Sequence, residues 1–152
     1  MNLSCPPRLT SVALFFLMAT RALPAVNLIS NGSFESPSLP VGAHYHLPTG
    51  ALGAWQTTVD GTFEIWSNPT SWSEALDGKQ HLELQDAHDA VYQIFPTTIG
   101  QAYSLIFFHS PRPTFDTTPS VSLNWAVIAT FPELGSLISS FSWQEFRTTF
   151  VA

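Results

Sequence analysis

The chain has 152 residues, enough for one domain with a real core and too few for two of ordinary size. Charged residues make up only 11 %, beside twelve Pro, twelve Phe and five Trp, which excludes a disordered chain and a helical bundle rich in Ala, Glu, Lys and Leu. Eleven acidic side chains against five basic ones make the surface repel nucleic acid and anionic lipid heads, so neither is expected as a partner.

The N-terminus reads as an export signal. Arg8 supplies a positive start, and the apolar run from Leu9 to Thr20 is short for a bilayer span but suits a signal-peptide core. Thr20-Arg21-Ala22 has the small-x-small pattern, giving residues 1–22 as the signal peptide, with Ala25 as the second choice of cleavage site. Cleavage removes Arg8, Arg21 and the single cysteine, Cys5. The domain over 23–152 then has a formal charge of −8 and no thiol, so its core, with a bound metal as the further device available, is expected to hold it.

Along the rest of the chain, short runs of period-two alternation recur between clusters of Gly, Pro, Asn and Asp, which predicts strands and loops throughout. Asn27 to Ser30 suits a first strand, followed by the turn signal Asn31-Gly32. Ser36 to Gly50 carries three Pro and two Gly and is expected to be a long loop. Trp55 to Val59 and Thr62 to Trp66 are predicted as a hairpin closed at Asp60-Gly61. A second loop from Ser67 to Gly78 leads into His81 to Gln85, where Leu82 and Leu84 alternate with a solvated face of His81, Glu83 and Gln85. Ala90 to Phe95 and Ala102 to His109 follow as strands. The latter is apolar on both faces and is expected mid-sheet. After a third loop from Ser110 to Pro119, Val121 to Phe131 is strand-rich around Asn124-Trp125, and Arg147 to Ala152 forms a late strand.

The ordered series Asn27 to Pro37 (Asn-Leu-Ile-Ser-Asn-Gly-Ser-Phe-Glu-Ser-Pro), Gly53-Ala54-Trp55, Gly61 to Trp66, Asp77 to Leu84, Val91 to Phe95 and Gly100 to Phe107 resembles the galactose-binding-like jelly rolls. That superfamily includes xylanase-type carbohydrate-binding modules. Within it the chain is most similar to the plant cell-wall domain family of unknown function and its bacterial secreted relatives, many of which carry a C-terminal sorting tail. The resemblance spans Asn27 to Ala152. It implies an all-β jelly-roll sandwich, a secreted location in the cell wall or extracellular matrix, and binding of a polysaccharide or glycan without catalysis. Relatives usually continue with one more strand. Lacking it, the sheet would end on an edge able to pair with another protein, which is the alternative functional reading.

Several residues are candidates for chemistry. Glu35, a carboxylate beside the Asn31-Gly32 turn, is the expected ligand of a structural Ca²⁺ that related jelly rolls hold near this segment. His44 and His46 would point the same way on a strand and chelate zinc or copper, with His81 or His88 completing the site; the flanking Pro40, Gly42 and Pro48 favour an exposed loop pair over that arrangement. Glu64, Glu74, Asp77 and Glu83 offer carboxylates, and alternation makes Glu64 and Glu83 polar strand faces. There is no nucleophile elbow, no cysteine nucleophile and no phosphate-cradling loop, so the chain is not expected to be an enzyme. Asn31-Gly32-Ser33 fits an N-glycosylation acceptor and equally a plain turn. Trp55 is expected in the core by resemblance. Tyr45, Trp66 and Trp72, placed on loops, are expected to stack on a sugar whose hydroxyls are bonded by His46, Asn68 or Arg112, or else to plug the ends of the sandwich.

Overall fold

The computed structural model describes residues 26–58, 61–67, 74–84 and 90–152. The segment expected to be a signal peptide, Asp60, Asn68, Trp72 and His88 lie outside them. Among the described residues the protein is all-β with antiparallel pairing, apart from one 3₁₀ turn at Gly135–Leu137. The principal sheet joins β1 (Ala43–Pro48), β3 (Thr62–Ser67) and β4 (Gln80–Glu83) in the order β1-β3-β4. Four two-stranded pairs complete the fold. β2 (Gln56–Thr57) lies against β5 (Val91–Tyr92), and β6 (Ala102–His109) against β11 (Gln144–Val151). β7 (Asp116–Thr117) lies against β10 (Glu133–Leu134), and β8 (Ser120–Leu123) against β9 (Ala126–Thr130).

The core sits under one face of the principal sheet. Leu52, Phe63 and Ile65 are fully buried, with Phe34, Leu39, Leu47, Trp55, Leu82 and Val91 packed around them. Trp55 occupies the core as expected, its ring 5.1 Å from that of Phe34 and its indole N–H donating to the Asn31 carbonyl at 3.0 Å.

Two short motifs noted in the sequence are physically one device. The Asn31 side chain closes its own turn by accepting from the Ser36 amide at 3.0 Å and donating to the Ser36 carbonyl at 2.7 Å. That presents Glu35 to the Asp77-Gly78-Lys79-Gln80 turn, where Oε1 accepts from the Lys79 and Gln80 amides, both at 2.7 Å. The buried Gln80 amide returns the connection, donating to the Phe34 and Pro37 carbonyls and accepting from the Leu39 amide. Gly78 has a φ of +72°, and a Cβ there would collide with the Glu35 carboxylate. The clamp thus requires glycine at this position for both conformation and space.

Several expectations are corrected. Asn27 to Ser30 forms no strand; Asn27 accepts from the Ile29 amide, and Ser30 exchanges two hydrogen bonds with the Gln93 side chain. The loop expected over Ser36 to Gly50 contains β1, because the extended backbone between Gly42 and Pro48 finds its ladder on β3, far along the chain. Asp60 of the hairpin expected at Asp60-Gly61 is outside the described residues, and among those described its two arms do not pair: β2 lies against β5, and β3 pairs with β1 and β4. β6 spans the expected residues but is not mid-sheet. Its one ladder among the described residues is with β11, and its side chains alternate between exposed and half-buried. The hairpin at Asn124-Trp125 closes without a glycine, both residues taking positive φ (47° and 66°), which matches the twist of a tight two-residue turn.

Candidate functional site

Antiparallel register determines which side chains share a face of the principal sheet. His44, Trp66 and His81 face one another across β1, β3 and β4, and His46, Glu64 and Glu83 form the next row. Opposite residues in adjacent strands point to the same side, so these six side chains share the face away from Phe63 and Ile65. Tyr45 falls on the core side, half-buried, its hydroxyl donating to the Pro40 carbonyl at 3.2 Å.

The first row is aromatic. The Trp66 ring has its centroid 5.1 Å from that of His44 and 6.5 Å from that of His81, the latter pair nearly parallel at 9°. Phe141 and Trp143, entering just before β11, cover His81 edge-on at 5.2 and 6.0 Å. The face expected to be wet at His81 is therefore dry: the ring is 6 % exposed, and neither nitrogen has a hydrogen-bond partner among the described residues. Burial without a partner disfavours the imidazolium and lowers the pKa to about 4.

The second row carries the charge. Glu64 is 5 % exposed, and its Oε2 is buried without a hydrogen bond of ordinary geometry among the described residues. Desolvation raises its pKa, with a further push from Glu83; His44 and His46 act in the opposite sense, and the Trp66 indole contributes the smallest lowering. Glu83 is bound by Arg112, Nη1 lying 2.5 Å from Oε1, and the same guanidinium sits 5.4 Å over the Phe115 ring. One imidazole nitrogen from each of His44 and His46 and one Glu64 oxygen lie within 4.8 Å of one another, a donor set able to hold a metal.

Of the six residues expected to bind sugar, the structure brings His46 and Trp66 together and draws Arg112 to the next strand through Glu83. Tyr45 is on the opposite face, and Asn68 and Trp72 are outside the described residues. Trp66 stands within β3 rather than on a loop, with His44 and His81 along its two sides. Glu35 is engaged by the Lys79 and Gln80 amides and belongs to no group of three metal-capable side chains among the described residues.

A second feature was not anticipated. A cavity of about 530 Å³ opens beside β6, β10 and β11, lined among others by His109, Pro111, Phe131, Glu133, Gln144 and Phe146. Its apolar wall is a ring cluster in which Phe131 lies 4.7 Å from His109 and 5.1 Å from Phe146, with Phe107 packed behind Phe146 at 4.9 Å. Its polar wall is a pair, His109 Nδ1 with Glu133 Oε1 at 2.5 Å, and Thr117 donates to Glu133 Oε2 at 3.2 Å. Gly135 underlies this corner, where a Cβ would collide with the Arg112 and Phe115 carbonyls. Nothing local in the sequence pairs His109 with Glu133, because the β7–β10 ladder brings the carboxylate into place.

No protein-family model, curated protein or solved structure matches the chain.

Proposed function

We propose that this is a secreted, non-catalytic β-sandwich of the galactose-binding-like kind that binds carbohydrate in the cavity between His109, Phe131, Glu133 and Phe146. The observation that carries the reading is the pairing, in one cavity of about 530 Å³, of aromatic walls with convergent hydrogen-bonding groups. Ring faces suit the apolar side of a pyranose, and imidazole, carboxylate and amide groups suit its hydroxyls. The Thr117 and His109 contacts hold Glu133 in one orientation, a condition for selective binding. The low charge and the export-like N-terminal run accord with an extracellular setting.

Affinity electrophoresis through neutral polysaccharides tests this. The wild-type chain should be retarded by at least one of them, and Gln144→Ala, at an exposed position of the cavity rim on the face of Phe146, should weaken retardation about tenfold, or roughly 1.4 kcal/mol. Failure of every polysaccharide to retard the wild type overturns the reading. A second reading, association through an edge strand, is favoured by β11, whose eight residues have one ladder among the described residues, with β6. An extended segment of another polypeptide would add to its other side by backbone hydrogen bonds. Concentration-dependent association without polysaccharide retardation would select it.

A further inference from the structure

We infer that His44, His46 and Glu64 form a binding site for a divalent transition-metal ion of the zinc type. This does not depend on carbohydrate binding, since the site lies on the principal sheet and shares no residue with the cavity.

Three observations converge. The two imidazoles project from alternate positions of β1 to the same side, and Glu64 stands directly opposite His46 on β3. One donor atom from each lies within 4.8 Å of the others, whereas donors around a tetrahedral zinc at about 2.0–2.1 Å are roughly 3.4 Å apart. Closing that gap needs tip movements on the order of 1.5 Å, within the range of side-chain rotation for two exposed imidazoles. Finally, Glu64 is a buried carboxylate whose Oε2 lacks a hydrogen bond of ordinary geometry; the Trp66 indole is a weak partner to it, and a cation between the imidazoles would offset the cost of burying the charge. Glu83 beyond it has Arg112 as its counter-charge, so the cation that Glu64 calls for would come from the β1 side.

The donor set decides the class of ion. Two imidazole nitrogens and one carboxylate oxygen suit zinc, copper(II) or nickel, and are poor for Ca²⁺, which takes six to eight oxygens. The ring geometry adds pre-orientation. His44 packs on the Trp66 indole at 5.1 Å and stands perpendicular to His46, with centroids 5.7 Å apart, so the two rings lie in different planes at the shared site. Three protein donors leave the remaining coordination position on the solvent side, where both imidazoles are exposed.

The test is calorimetric titration of metal-stripped full chain with ZnCl₂, beside His44→Ala/His46→Ala and Glu64→Gln variants whose folding is verified by circular dichroism. The wild type should bind one Zn²⁺ per chain and melt at a higher temperature when it does. The double variant, altered only at exposed positions, should lose more than about 100-fold in affinity, beyond what a second-shell change costs. Cu²⁺ added to the wild type should give an electron paramagnetic resonance spectrum with hyperfine structure from two imidazole nitrogens, which a merely structural role for these histidines would not produce. Equal Zn²⁺ affinity in the wild type and the double variant overturns the assignment, as does no binding to the folded wild type. Ca²⁺ serves as the control ion: stabilisation by Ca²⁺ that survives the double variant reports a different site, at Glu35, and stabilisation by Ca²⁺ alone overturns the transition-metal assignment.

Discussion

The two parts of this molecule use a similar aromatic and aliphatic vocabulary to different effect. Around β1, β3 and β4, Leu52, Phe63 and Ile65 are sealed to 1 % exposure or less. Along β6 and β11, Phe107, Phe131 and Phe146 pack ring on ring yet stay only half-buried, and Ile106 and Phe108 on the outer face are 43 % and 47 % exposed. Apolar content does not separate the two regions; polar side chains closing loops over the rings do. Glu35 and Gln80 bind loop backbone across more than forty positions of sequence and lower the 34–39 segment onto the core, whereas a two-stranded ladder of eight residues buries one face at most.

The sharpest way to break this comparison is to make one substitution in both regions. Phe63→Ala should cost about 3 to 5 kcal/mol, enough to unfold a marginal domain. Phe108→Ala, on the outer face of β6, should stay within about 0.5 kcal/mol, because a surface ring far from caps and networks contributes little. Urea melts of both variants decide it, and equal losses would mean that the β6–β11 face is covered in solution.

A second way uses pH. His81 is neutral and buried under Phe141 and Trp143, with its pKa lowered from the ordinary 6.5 to about 4. Between those values the unfolded chain takes up a proton that the folded chain does not, so its stabilising contribution is complete above pH 6.5 and is lost as pH falls towards 4. The loss should be on the order of 3 kcal/mol. Melts in EDTA from pH 7 to pH 4 should show it, and His81→Phe should flatten the profile while costing little at pH 7, since it replaces two unpartnered nitrogens by apolar edge. An unchanged slope in the variant would move the acid sensitivity elsewhere.

The smallest of the three effects sharpens the role of the clamp. Glu35→Ala removes a carboxylate acceptor from two amides and should destabilise by about 2 kcal/mol. Native-state hydrogen exchange should then show faster opening of the Lys79 and Gln80 amides, with β6 and β11 unaffected. Uniform acceleration across the chain would mean that the two regions unfold as one unit.

Much of this was legible in the residues themselves. The bounds of β6, the Asp77-Gly78 turn and the inward side of Leu82 follow from local alternation and from glycine at positive φ, whereas Trp55 is expected in the core from the resemblance. The loop reading over Ser36 to Gly50 failed because Pro40, Gly42 and Pro48 punctuate the ends of β1, and only the ladder on Thr62 to Ser67 makes its interior a strand. The expected hairpin failed for the same reason. A turn signal says that the chain bends, and the partner of each arm is decided by which distant edge buries more surface.

The residues alone thus indicate that the described part of the chain is all-β, that it turns at Asp77-Gly78 and that Leu82 faces the core. These properties follow from interactions within a few residues. Tertiary structure alone decided that His44 and His46 meet Glu64, that His81 is dry and that His109 meets Glu133, because each depends on register between strands far apart in the chain. A slip of one residue would turn every one of those side chains to the opposite face.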